Sequence, residues 1–540
     1  MRNRGSRRVV AALSGAFLIA ACTSAGGSDS GSDESGGGQA REPGLVNIGD
    51  GSPDPVSGGT LNVSLYSFPQ SLDPAQTYGT IATSGIPMAA IYGVLMRYDP
   101  ESGEYEPKLA KSLSHNTDFT KWTLELRDGV EFSDGTPLDA EAVVSNLKRI
   151  ANAGKTTIAP IITKMIKDYE TPDAHTVVFD LSQAWSRFPY LLASNGGMVP
   201  SPDAVAEHDD EFGRHPVGAG PFTLSDYTSN EAIVLARNPD YWDGRAHLSK
   251  VRFTQISGGD STAERFHSGG VQMGVTLDPE IISSMVDDGT PGYLVYNHAG
   301  GWVPNQNEDH PTSDPAVRRA IAYAMDVDQL NERAVNGKAA FHRTLFPENS
   351  RWDTGKAGVG HNPDKARELV TQAKKETDWD GSLKLLAVQT QQAAWREAIT
   401  LKGQLNAVGF DVQLEGLQNI NQLIRHSFVK QDYDLAYWVV TAWDSAPWIA
   451  LYSNMGSTSK RNPYGYASDR FDNLLGELRS AGDEQERRDV LAGMQQVWKN
   501  DQPVILNKSS ENFVFWNEQV HGVVPSSLGV VLLDDAFLSR

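Results

Sequence analysis

At 540 residues the chain is too long for a single hydrophobic core, so two or three domains are expected. A formal net charge of -21 argues against nucleic acid or an anionic membrane surface as a partner of the folded body. The lone cysteine, Cys22, excludes an intrachain disulfide and any cysteine-rich metal site.

The first residues read as an export signal. Arg2, Arg4, Arg7 and Arg8 precede the apolar run 9–21, which is too short to span a bilayer, a task that takes about 20 residues. That run ends in Leu18-Ile19-Ala20-Ala21-Cys22, which resembles a bacterial lipobox with Ile19 where leucine is usual. The resemblance implies cleavage after residue 21 and diacylation of Cys22, whose lipid chains would anchor the protein at about 0.8 kcal/mol per buried CH2. Ser6-Arg7-Arg8 also resembles a twin-arginine signal, which leaves both export routes open. Residues 22–57 are dominated by Ser, Gly, Asp, Glu and Pro and predict a flexible tether.

The pattern changes at Gly59. Leu61, Val63 and Leu65 alternate with polar residues, as do Trp122, Leu124 and Leu126, and both runs predict strands. Asp128-Gly129 and Asp134-Gly135 mark turns, and a helix is expected from about Asp139. Further strands are predicted at 177–181, 233–235 and 251–253. Asp314-Pro315 and Asn362-Pro363 each pair a capping side chain with a first-turn proline and should open helices. A strand at 383–388, a helix at 395–408 closed by Gly409, a strand at 410–414 and another at 433–440 predict an α/β unit with parallel pairing. Helices at about 468–479 and 483–499 follow.

Several stretches occur in an order that resembles one family. They are Gly58-Gly59-Thr60-Leu61, Leu72-Asp73-Pro74, Tyr92-Gly93-Val94-Leu95, Pro107-Lys108-Leu109-Ala110, Trp122-Thr123-Leu124-Glu125-Leu126-Arg127-Asp128-Gly129-Val130 and Phe132-Ser133-Asp134-Gly135-Thr136-Pro137-Leu138. Pro216-Val217-Gly218-Ala219-Gly220-Pro221-Phe222, Arg237-Asn238-Pro239-Asp240-Tyr241-Trp242 and the run from Asp314 to Asp326 complete the series. Together they resemble the family 5 extracellular solute-binding proteins, the peptide-binding components of ABC importers, over about residues 58–540. The resemblance implies an α/β, two-lobed periplasmic-binding-protein-like fold (class II, cluster C type) with an extra inserted domain. Domain I would comprise 58–100, 214–296 and 506–540, domain II 101–213, and domain III 297–505. Strands near 290–300 and 505–510 would form the hinge. It further implies a monomer that hands a di- or oligopeptide to ABC permease and ATPase subunits, without a cofactor and without catalysis. The same fold with a nickel chelate, haem, an opine-like amine or an oligosaccharide, or with a sensing role, is the alternative.

Family members pair a ligand ammonium group with an aspartate shortly after a strand resembling Tyr433-Asp434-Leu435-Ala436. Asp444 falls at that place, although counting back from Pro447 points to Trp443 instead. Tyr437, Trp438, Trp443 and Trp448 crowd the same segment and read either as an aromatic wall of the cleft or as strand packing. Tyr66 and Ser67, at the end of the first strand, are expected at the cleft edge. Gly218 and Gly220 are expected to hold a backbone conformation closed to other residues.

Enzyme motifs are missing from the sequence. It has no GxSxG, HExxH or CxxC pattern, and Gly154-Lys155-Thr156 lacks the first glycine of a phosphate loop and reads as a surface turn. The 12 histidines are scattered without the spacing of metal ligands.

Overall fold

The alternation at the start of the folded body becomes a central strand. Leu61, Val63 and Leu65 are buried to 1% exposure or less, each contributing about 1.5–3 kcal/mol of apolar burial. In this computed structural model the described residues are 41–539 apart from 50, 52, 154–158, 257 and 463. The expected signal segment, Cys22 and the turn at 154–156 therefore lie outside the described residues, and the described residues belong to one unit.

Eleven strands make the principal sheet: β1 Gly44–Val46, β2 Thr60–Leu65, β3 Phe222–Thr228, β4 Ala232–Arg237, β5 Lys250–Gln255, β6 Met273–Thr276, β7 Gly292–Pro304, β8 Ser382–Val388, β9 Asp411–Leu417, β10 Leu435–Trp443 and β11 Ile505–Trp516. Their spatial order is β9-β8-β10-β7-β11-β6-β2-β5-β4-β3, with β1 added to β7. The two longest strands, β7 and β11, pair antiparallel at the middle. On one side of them lie strands from 382–443, with β8 parallel to both β9 and β10. On the other side lie strands from 60–65 and 222–276, with β2 parallel to β5 and β6. A separate antiparallel sheet is built from Ala110–His115, Lys121–Leu126, Thr176–Leu181 and Ile166–Asp173.

The predicted helices form where their caps stand. Asp139, Asp314 and Asn362 accept backbone N–H bonds of 2.9, 2.7 and 2.9 Å from Ala142, Ala316 and Lys365. Each such cap contributes about 1 kcal/mol. They open α1 Ala140–Asn152, α2 Pro315–Ala324 and α3 Pro363–Glu376; α4 Gln392–Ala407 then crosses between β8 and β9.

Two expectations need revision. The tether predicted over 22–57 carries β1 near its end, because Gly44-Leu45-Val46 is a short apolar run that can pair with the free edge of β7. Gly218 and Gly220 are required by proximity and not by an unusual φ. A Cβ at Gly218 would lie 2.5 Å from the Ile91 carbonyl oxygen, and one at Gly220 would lie 2.6 Å from that of Ala90.

Candidate functional site

β10 runs antiparallel to β7 and ends where Trp443 faces Asn297. Beyond that point the chain turns, and the two strands border a cavity of about 840 Å³. Its walls come from β1, β7 and the end of β10 and from the segments 97–101, 348–351 and 523–526. This volume suits a small polar molecule or a short peptide.

Asp444 is the best-developed group on these walls. The Ser350 hydroxyl donates to its Oδ1 at 2.8 Å, and His298 Nε2 lies 3.1 Å from the same oxygen without hydrogen-bond alignment. Trp352 Nε1 donates to the Asp444 carbonyl at 2.8 Å and fixes the backbone. Burial alone would raise this carboxyl group, but His298, Ser350 and the Arg351 guanidinium outweigh it and hold Asp444 below the usual carboxylate range. The group is therefore an anion at neutral pH, with 23% of its side chain still accessible.

Four buried polar atoms on the walls have no hydrogen-bond partner among the described residues: Trp443 Nε1, Arg351 Nε, Asn349 Oδ1 and Ser526 Oγ. Leaving such atoms unpaired costs about 1–3 kcal/mol each, so they favour a guest that offers both amide donors and acceptors. The walls carry the carboxylates of Glu42, Asp99, Glu101, Glu348 and Asp444 against the guanidinium groups of Arg97 and Arg351. Arg97 is already engaged by Glu106, and Arg351 donates to the Ser102 carbonyl at 3.1 Å. The balance favours a ligand bearing a positive group.

Asp444, His298 and Ser509 stand in an order that invites comparison with a hydrolytic triad. His298 Nδ1 lies 2.7 Å from Ser509 Oγ, and His342 Nε2 lies 2.8 Å from the same oxygen. The Ser509 hydroxyl is thus shared between two imidazoles, its residue is 2% exposed, and it does not reach the cavity wall. A nucleophile needs an approach for substrate, and this one has none. Burial holds His342 neutral, pushing it down to about 3, so it can donate one N–H to Ser509 without carrying charge.

Of the residues expected to bind ligand, Asp444 and Trp443 line this cavity. Tyr437 packs edge-on to Trp302 at 5.4 Å and lies beneath the Lys508 ammonium, while Trp438 packs on Phe428 at 5.2 Å. Trp448 stacks on Tyr452 at 5.1 Å, next to Trp185, and borders a second, smaller cavity of about 320 Å³. Tyr66 is half exposed, and Ser67 donates to the Ala82 carbonyl at 2.6 Å; neither is on the walls of the larger cavity. Asn349, Ser350, Arg351, Tyr296 and Ser526 are wall or support residues without a sequence signal, since they sit in loops or at isolated strand positions.

Beneath Tyr296, Glu511 is 3% exposed. Its Oε1 lies 3.1 Å from the tyrosine hydroxyl, and its Oε2 has no partner among the described residues. Burial pushes this carboxyl group up to about 7, against the smaller opposing pulls of Tyr296 and Arg41. A raised acid favours folding below its ordinary value of 4.5 and loses that contribution as pH rises through about 7. From pH 4.5 to 8, Glu511→Gln should therefore gain stability relative to the native chain by about 3 kcal/mol. Urea unfolding across that range measures it; a pH-independent difference would show that Glu511 titrates normally.

The chain belongs to the bacterial extracellular solute-binding proteins, family 5, whose model matches residues 104–462. It is 26% identical over 477 residues to a probable D,D-dipeptide-binding periplasmic protein of Escherichia coli K12, covering 86% of this chain and 91% of that one. The fold matches the ABC transporter-associated periplasmic binding protein DppA of Helicobacter pylori in complex with the peptide STSA at a TM-score of 0.74 and 21% identity, covering 90% and 99% of the two chains. It also matches AgaA of A. tumefaciens R10 in complex with agropinic acid at 0.73 and 23% identity, covering 89% and 99%. The α/β, two-lobed solute-binding fold expected from the sequence is thus the fold of the protein. Its relatives are named as binding proteins, and among the described residues no helix is long and apolar enough to cross a membrane.

Proposed function

We propose that this protein captures a di- or oligopeptide in the cavity at the end of β10 and delivers it to ABC permease and ATPase subunits, while diacylated Cys22 holds it at the outer face of the cell membrane. The observation that carries the reading is the anionic Asp444, placed beside unpartnered buried donors and acceptors on the cavity wall. A peptide offers the matching set, an ammonium group followed by alternating N–H and C=O groups, and backbone pairing leaves its side chains largely unread. The relative named for D,D-dipeptides and the matching fold that holds STSA support the choice of ligand.

A pool of free di- to hexapeptides should raise the melting temperature, since ligand at about 100 times Kd adds about 2.7 kcal/mol to the folded state. N-acetylated peptides should raise it far less. No response to any peptide, with a response to an opine-like amine, a sugar or a nickel chelate, would move the ligand outside the peptides. Loss of membrane association in Cys22→Ser, read by fractionation of cells expressing it, tests the anchor.

A further inference from the structure

The cavity is walled in part by the chain's own N-terminal segment. β10 leaves the edge of β7 at Asn297, and β1 takes over the same edge, pairing Gly44 with Leu294, Leu45 with Tyr293 and Val46 with Gly292. β11 occupies the opposite edge throughout, so no other edge of β7 is open to β1. Glu42, Pro43, Gly44 and Leu45 face the cavity, and the Arg41 carbonyl accepts from Tyr296 Oη at 3.0 Å and Asn349 Nδ2 at 3.1 Å.

The direction of β1 matters. It runs antiparallel to β7 with its N-terminal end toward Asp444 and its C-terminal end away from it. A peptide with its ammonium group on Asp444, extending along this edge of β7, would run the same way. Leu294 lies three residues from Asn297 along β7, about 10 Å in a strand. Residues 41–43 run on from β1 toward Asp444 without pairing with β7, so the first residues of such a peptide meet only this unpaired stretch and later ones meet β1.

The hold on β1 is slight. Three residue pairs form the strand, and Leu45 is 51% exposed. Val46 packs against the apolar cluster that contains Ile282, Met285 and Leu294, and Asn47 Nδ2 donates to the Val286 and Thr290 carbonyls. The Arg41–Asp287 ion pair, at 3.1 Å, involves an aspartate that is 58% accessible, which makes it a weak surface pair. So short a strand with little buried surface opens easily.

We infer that residues 42–46 act as an intramolecular strap on the sheet edge that the distal part of a longer peptide would use, so that dipeptides bind beside it and longer peptides must displace it. This rests on the peptide reading above. Displacement exchanges one set of strand hydrogen bonds for another, and its penalty falls on long ligands alone.

The test compares the full chain with the same chain lacking residues 41–49, titrating each with a dipeptide and a hexapeptide. In the shortened protein the ratio of hexapeptide to dipeptide affinity should rise about tenfold or more. In the full chain, amide exchange at 41–49 should accelerate when the hexapeptide binds and stay unchanged with the dipeptide; this readout serves also if the shortened chain folds poorly. Equal effects on both lengths, no effect on either, or continued protection of 41–49 under bound hexapeptide would overturn the strap while leaving peptide binding intact. Failure of every peptide to bind either protein would overturn the peptide reading and the strap with it.

Discussion

Asp444→Asn should weaken binding of free peptides by about 30-fold to several thousand-fold, corresponding to 2–5 kcal/mol for removing one partner of a desolvated charge pair. Asparagine keeps an oxygen for the Ser350 hydroxyl, so the wall should hold its shape and the loss should appear in affinity more than in folding. The pH dependence follows from the direction of the shift. Because His298, Ser350 and Arg351 hold the carboxyl group below its ordinary range despite burial, the charge that receives an ammonium group persists well into acid. Binding should be flat from neutral pH down to about 4 and fall only as pH drops through the lowered value of Asp444. Calorimetric titration with a free peptide and its N-acetylated form, on native and Asp444→Asn proteins, closes a double-mutant cycle. If both forms lose affinity equally, Asp444 supports the wall without meeting the ammonium group.

A position is legible in the sequence when it obeys a period or a local cap. β2 and the strand Lys121–Leu126 bury alternate residues on one face, and α1, α2 and α3 begin at a side-chain cap that is visible in sequence. Such signals are local, and the structure realises them almost to the residue. The cavity is assembled otherwise. Asn349, Arg351 and Ser526 come from loops far apart in the chain, and their use depends on how those loops converge. Only the family resemblance singles out Asp444, because nothing in its local sequence separates it from an ordinary loop acid. The aromatic residues around it show the limit of composition. Tyr437 and Trp438 are neighbours on a strand and point to opposite faces, one onto Trp302 and the other onto Phe428. Trp443, at the strand's end, is the one that reaches the cavity.

A buried ion pair that the sequence gives no hint of yields the other large effect. Glu397 on α4 is 0% exposed; Lys508 on β11 donates to one of its oxygens and Asn507 to the other, at 2.9 Å. Lys508 lies where the β7–β11 register shifts at Gly300, and its ammonium group also rests over Phe341 and Tyr437, at 5.3 and 5.0 Å from the ring centroids. Burial alone would lower this lysine, but the Glu397 carboxylate outweighs burial and holds it charged, above its ordinary range. Lys508→Met should destabilise the protein by about 3–5 kcal/mol, because it strands the Glu397 charge with a single amide for company. Lys508→Met combined with Glu397→Leu should recover most of that loss, since removing both charges also removes the desolvation cost that the pair offsets. Urea unfolding followed by tryptophan fluorescence ranks the three proteins. A single variant within 1 kcal/mol of native, or a double variant weaker than the single, would show that water reaches this pair and that its burial does not set its energy. Neither residue lines the cavity, so peptide affinity at full folding should be unchanged in both variants, which separates the strand pair's structural cohesion from recognition at Asp444.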